Sequence, residues 1–215
     1  MARRFFDPES LVWKPLGYFG ELVILSLLWA LCSIPLVTLG PATAALYDTT
    51  VHAVRRKEND PFSRFFATFR RELKEGILLT LLCAAAALLL ALLTALVFRA
   101  LPSLYERGAI VSLVELLLVF FFLGAASWVF PTLSRFSMGI GAIGAACLRL
   151  APGHALRSAA MALLNAALIY LSARFVVPLM FGPALVSLLS SFLIEPVFLR
   201  YEQAQEAQNN ADDGR

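Results

Sequence analysis

The sequence predicts an all-α polytopic transmembrane bundle, and three observations carry that expectation. Of the 215 residues, 60% are hydrophobic and 15% charged, with a mean hydropathy of +0.76; soluble domains sit at roughly 45–50% apolar and about 25% charged. The tract Leu22–Val54 holds no Lys, Arg or Glu, and Arg55-Arg56-Lys57 closes it at once. Charge-free runs follow at Gly76–Phe98 and Phe175–Ile194, Gly108–Ser134 is broken only by Glu115, and Ser158–Ala173 adds a shorter one. A spanning helix needs about 18 such residues or more.

The segment before Leu22 sets Arg3, Arg4 and Lys14 against Asp7, Glu9 and Glu21. That neutral balance argues against a cleaved leader, and the cleavage-like Ala42-Thr43-Ala44 lies too deep. As one helix Leu22–Val54 would run roughly 50 Å, against a hydrocarbon core of about 30 Å. It must fold back, and Pro35 with Gly40-Pro41 supplies the break, giving spans over about 18–38 and 41–57. Residues 61–75 then read as an amphipathic helix with Pro61 in its first turn. Phe62, Phe65, Phe66, Phe69 and Leu73 share one stripe, and Arg64, Arg71 and Lys74 point the other way, as in a helix lying in the cytoplasmic headgroup layer. The interspersed acids Glu58, Asp60, Glu72 and Glu75 exclude a nucleic-acid surface.

Spans over 76–99 and 108–131 come next. A connecting segment over 132–156 carries a weaker stripe of Phe136, Ile140, Ile143, Cys147 and Leu150, and leads to spans over 157–178 and 183–200. Residues 1–200 are thus expected to form one transmembrane domain with cytoplasmic interfacial helices, and 201–215 a polar disordered tail. With six spans and both termini cytoplasmic, only Arg99, Arg107 and Arg174 of the 18 Lys and Arg fall outside. The five-span alternative moves Arg3, Arg4 and Lys14 outside as well, so the positive-inside rule favours six.

Gly139-Ile140-Gly141-Ala142-Ile143-Gly144 matches a dinucleotide fingerprint by letter, but it follows an apolar helix rather than a strand, and its next acid is Glu195. Close helix packing is the expectation there. Cys32, Cys83 and Cys147 are far apart in apolar surroundings and read as packing residues. Asp48 and His52 share one face of the second span. Ionisable groups in a span are costly and point to function, so a proton or cation relay stands beside a hydrogen-bonded pair facing the bundle interior. Glu115 and Arg174, opposite in sign and alike in depth, are expected to pair or to touch a polar substrate. Thr38 and Thr43 flank Gly40-Pro41, where hydroxyls and free N–H groups either satisfy the turn's own backbone or hold a sugar hydroxyl or anion. No nucleophile-base pair, metal-ligand cluster or nucleotide motif is visible, so the expectation is a non-enzymatic protein without cofactor or metal.

The run Trp29-Ala-Leu-Cys-Ser-Ile-Pro35-Leu-Val-Thr38-Leu-Gly40-Pro41-Ala-Thr43-Ala-Ala-Leu-Tyr47 resembles the signature of the YesL-like family of bacterial integral membrane proteins, whose molecular function is undetermined. The likeness continues through the basic stretch and the amphipathic helix, and again from Phe130-Pro131 to Arg135-Phe136. Asp48 and His52 stand where that pattern has uncharged residues, and Glu72 and Gly144 where it has polar amides. Members are often encoded beside carbohydrate-uptake transporters and glycan-degrading enzymes. The resemblance therefore implies a bacterial inner-membrane accessory to carbohydrate uptake, with the lipid bilayer and an ATP-driven sugar importer as partners. A small stand-alone secondary transporter or channel is the alternative, with Asp48, His52, Glu115 and Arg174 as its first binding candidates.

Overall fold

The computed structural model describes residues 13–55, 60–100, 109–136, 139–175 and 177–213; the expectations for residues 1–12 and for Arg56-Lys57 fall outside these. Every described element is helical. In chain order they are α1 (Trp13–Cys32), a short 3-10 turn (Leu36–Thr38), α2 (Leu39–Thr50) continued by a π-helical turn (Val51–Arg55), α3 (Pro61–Arg71), α4 (Leu73–Ala100), α5 (Ala109–Arg135), α6 (Ile140–Gly153), α7 (Ala155–Arg174) and α8 (Val177–Asp213).

Four of these are long and apolar enough to cross a membrane, over Leu73–Val97, Leu113–Arg135, Ala155–Arg174 and Val177–Tyr201. Six were expected. Both missing spans belong to the N-terminal tract: the apolar helix Gly20–Cys32 within α1 is too short to cross, and α2 with its π turn reaches only about 25 Å, against roughly 30 Å of hydrocarbon. The fold-back itself is where the breakers predicted it. Thr38 Oγ1 stands 2.6 Å from the Cys32 carbonyl, which the end of α1 leaves open, and 2.7 Å from that of Pro35 in the turn.

α2 is the central helix of the bundle. Gly40–Ala42 and Ala44–Thr50 are buried, and α2 packs against α1, α3, α4, α5 and α8. Gly40 makes this possible: a Cβ there would meet Thr80 Oγ1, the Gly76 carbonyl at 2.6 Å and the Phe130 ring at 2.6 Å. Gly76 repeats the constraint from the other side, its Cβ position lying 2.8 Å from Pro41 Cδ. From this crossing α2 runs antiparallel to α3 and the start of α4, with Gly40 beside Gly76, Asp48 beside Thr68 and His52 beside Arg64. The α1–α2 turn therefore stands level with the beginning of the apolar run of α4, and not with its far end near Arg99.

α3 starts where predicted. Asp60 adopts a left-handed backbone (φ 71°), its carboxylate accepts from the Ser63 amide, and Pro61 follows at the first helical position. Its faces are divided differently from the expected stripe. Phe65 and Thr68 are buried and Arg64 turns inward to α2, whereas Phe62 and Phe66 are exposed. The main core joins α2, α4, α5, α6, α7 and α8 around Trp128, which is fully buried. Its indole N–H donates to Ser158 Oγ at 2.9 Å, and that hydroxyl donates in turn to the Ala151 carbonyl. The α6 stripe packs as read, with Ile143, Cys147 and Leu150 inside. Burial pushes the Cys147 thiol up to about 11, in keeping with a packing role.

Two expectations are corrected. The tail predicted to be disordered from residue 201 continues α8 to Asp213, because Gln, Glu and Ala extend a helix already nucleated at low cost. The glycines at 139, 141 and 144 are not a close-packing surface: a Cβ at any of them meets nothing within 4 Å. Gly40→Ala should therefore overpack the α2–α4 crossing at a cost of about 1–3 kcal/mol, lowering the melting midpoint in detergent by several degrees. Gly144→Ala in the same thermal-shift assay should leave the midpoint unchanged or raise it, through helix propensity alone.

Candidate functional site

The structure gathers polar chemistry in two separate places, a charged network between α2 and α3 and a partly open cavity lined by α1, α2, α5, α7 and α8. In the network, Asp48 sits two residues before the end of α2 and its side chain is only 10% exposed. Its Oδ2 accepts from Arg64 Nε at 2.9 Å and from Thr68 Oγ1 at 2.8 Å, and its Oδ1 accepts from Arg64 Nη2 at 3.3 Å. The π turn brings His52 back over the same carboxylate, with Nδ1 2.8 Å from the Asp48 carbonyl and 3.3 Å from Oδ1.

The partners of His52 determine its proton. Nε2 lies 2.8 Å from Arg64 Nη2, and a guanidinium can only donate, so Nε2 accepts and is unprotonated. The carbonyl 2.8 Å from Nδ1 can only accept, so Nδ1 carries the hydrogen. His52 is thus held between an acid and a guanidinium. Asp48 and His52 form the hydrogen-bonded pair foreseen as one of two readings, but the sequence missed its third and fourth members, Arg64 and Thr68. Two further ties join charged groups elsewhere in the bundle. Arg71 Nε donates to buried Glu72 at 2.6 Å and Arg71 Nη2 to the Ser134 carbonyl, while Arg135 approaches buried Glu195 at 3.5 Å.

Glu115 and Arg174 are not brought together; no ion pair joins them, and Arg174 is exposed at the end of α7.

The cavity measures about 370 Å³. Trp29, Leu39, Leu123, Phe130, Leu168 and Pro183 are among its apolar wall residues, and no charged side chain among the described residues lines it. Five residues of the Trp29–Tyr47 run contribute: Trp29, Leu39, Thr43, Leu46 and Tyr47. Most of its polar atoms are occupied elsewhere. Trp29 Nε1 donates to Thr43 Oγ1, which donates to the Leu39 carbonyl. Ser127 Oγ donates to the Leu123 carbonyl and accepts from Asn165 Nδ2, which also donates to Met161. Ser187 and Ser190 complete the polar wall. The remaining signature residues are structural, Pro35, Thr38, Gly40 and Pro41 all shaping the α1–α2 turn. Isolated Ser and Asn in otherwise apolar runs were the sequence signal for this cavity, and it points only to polar atoms, not to a void.

Asp48→Asn should destabilise by about 2 kcal/mol, because either placement of the amide sets its N–H against the Arg64 guanidinium. Thr68→Val should cost about half as much. Thermal shift with a double-mutant cycle against Arg64→Gln should show coupling, and Glu115→Gln and Arg174→Gln should leave the midpoint in place.

Residues 22–93 match a family model described as "Protein of unknown function, DUF624". The matched stretch runs from Leu22 in α1 into α4 and holds the Trp29–Tyr47 run, both crossing glycines and the whole Asp48–His52–Arg64–Thr68 network. No curated protein and no solved structure matches the chain. Over residues 22–93 the chain is similar to an uncharacterised family, and the similarity carries no activity with it.

Proposed function

We propose that this chain is a YesL-like protein of the bacterial inner membrane that assists carbohydrate uptake, without catalysis of its own, as a partner of an ATP-driven importer. The carbohydrate link rests on the family resemblance of the Trp29–Tyr47 run. The choice of assisting over transporting rests on one observation, the apolar wall of the cavity. A monosaccharide brings several hydroxyls, and each one buried without a partner costs about 1–3 kcal/mol. Against them the wall offers few groups not already bonded within the protein. Asp48 and His52, the residues a proton-coupled transporter would need, are tied to α3 and do not line the cavity.

In this reading α4, α5, α7 and α8 cross the membrane and both termini are cytoplasmic. The α1–α2 hairpin stays on the side from which α4 enters, since its turn touches Gly76. Four crossings keep the termini on one side just as six do, so the positive-inside balance is unchanged. α3 lies beside the inner surface with Phe62 and Phe66 toward lipid.

Tagged protein purified from its own membranes should carry the ATP-binding subunit of a sugar importer, identified by mass spectrometry. Proton-driven sugar uptake into vesicles by the purified protein alone would sink the accessory role in favour of a stand-alone transporter. Thr38→Cys, at the α1–α2 turn, should react with a membrane-impermeant maleimide only after the cytoplasmic side is opened; labelling of intact cells would restore six full crossings.

A further inference from the structure

We propose that the cavity between α1, α2, α5, α7 and α8 binds a single-chain amphiphile with a neutral head, its aliphatic tail against the apolar wall and its head hydrogen-bonded by Asn165, Ser187 and Ser190. The volume of about 370 Å³ lies at the lower end of the roughly 300–1,000 Å³ of ligand cavities. That is room for a chain and not for a two-tailed lipid. Three of its walls are helices of spanning length, so what reaches it through the bilayer is hydrocarbon.

The polar atoms left over define the head. Ser187 Oγ is buried and has no hydrogen-bond partner. Ser190 is 6% exposed and its hydroxyl bonds no described residue. Asn165 uses its amide nitrogen on Ser127 and Met161, which leaves its carbonyl oxygen to accept. Two hydroxyls and one carbonyl acceptor suit a single group that both donates and accepts, such as an alcohol. An ionised carboxylate or phosphate would be stranded, because the wall holds no cation to pair with it. The chemistry is common to linear long-chain alcohols and to isoprenoid alcohols.

The test is photolabelling of the purified protein in nanodiscs with a diazirine-bearing hexadecanol, followed by peptide mapping. Labels should concentrate on the stretches holding Leu168-Ile169 and Pro183–Ser190, above the level on the lipid-exposed α4 leucines 88–96. Ala126→Trp, which fills the cavity, should cut that labelling at least tenfold, and Ser187→Ala with Ser190→Ala should weaken it about fivefold. Val186→Phe serves as the second filling variant if Ala126→Trp does not fold. Unlabelled hexadecanol and farnesol as competitors separate the linear from the branched source, and either one displacing the probe supports the site. Palmitate at pH 8 competing as well as the alcohols would overturn the neutral head. Labelling spread evenly over α4 and the cavity, or unchanged by both filling variants, would overturn the site. Displacement by a free sugar would replace it with a carbohydrate site.

Discussion

Gly40 and Gly76 allow two helix backbones to meet where no side chain fits, and the placement of α2 at the centre of the bundle follows from that crossing. Tyr47 and Val51 enter the main core with Leu79 and Trp128, and Ala45 and Leu46 enter the smaller core with Leu25 and Phe65. Asp48 and His52 fall opposite Thr68 and Arg64 for the same reason: once residue 40 is fixed beside residue 76, the antiparallel register carries the rest. Small residues at such crossings matter more within a bilayer than in water, because lipid is as apolar as leucine and close packing has to supply the association.

The charged groups obey a complementary rule. Buried Asp48, Glu72 and Glu195 each have an arginine within reach, as a low-dielectric interior requires. Within the helices the hydroxyls of Thr43, Thr50, Thr80 and Ser127 bond the carbonyl one turn back, which satisfies them without a second helix. The hydroxyls of Ser33, Thr49, Ser172 and Ser187 have no partner among the described residues, and of these Ser187 stands at the cavity wall.

Local chemistry made part of this legible in the sequence. Pro35 marked the turn between α1 and α2, Gly40-Pro41 falls in the first turn of α2, and Pro61 marked the start of α3 because proline suits a first helical turn. Long apolar runs located α4, α5, α7 and α8. Hydropathy did not distinguish α2 from a spanning helix, since a residue buried among helices and one facing lipid are equally apolar. Periodicity along α2 paired His52 with Asp48 but could not supply Arg64 and Thr68, which come from the next helix across a loop. The same limit sent Arg64 to the solvent face of α3 and joined Glu115 to Arg174. Each of those assignments used one helix or one coordinate where contact needs all three.

The network and the cavity share α2 yet divide its polar groups. Toward α3, Asp48 and His52 are saturated by Arg64 and Thr68 at 2.8–2.9 Å, an arrangement whose members cannot leave without stranding a charge. Toward α5, α7 and α8, Thr43 and Tyr47 face a space whose remaining polar capacity is uncharged and sparse. A group fully bonded within its own protein contributes to holding the fold, whereas one left open beside a void can be completed only by something that enters. Asp48 and His52, marked by charge in the sequence, thus belong to the first kind. The second kind consists of Asn165, Ser187 and Ser190, neutral residues in apolar helices, and it is to these that a ligand's contacts would fall.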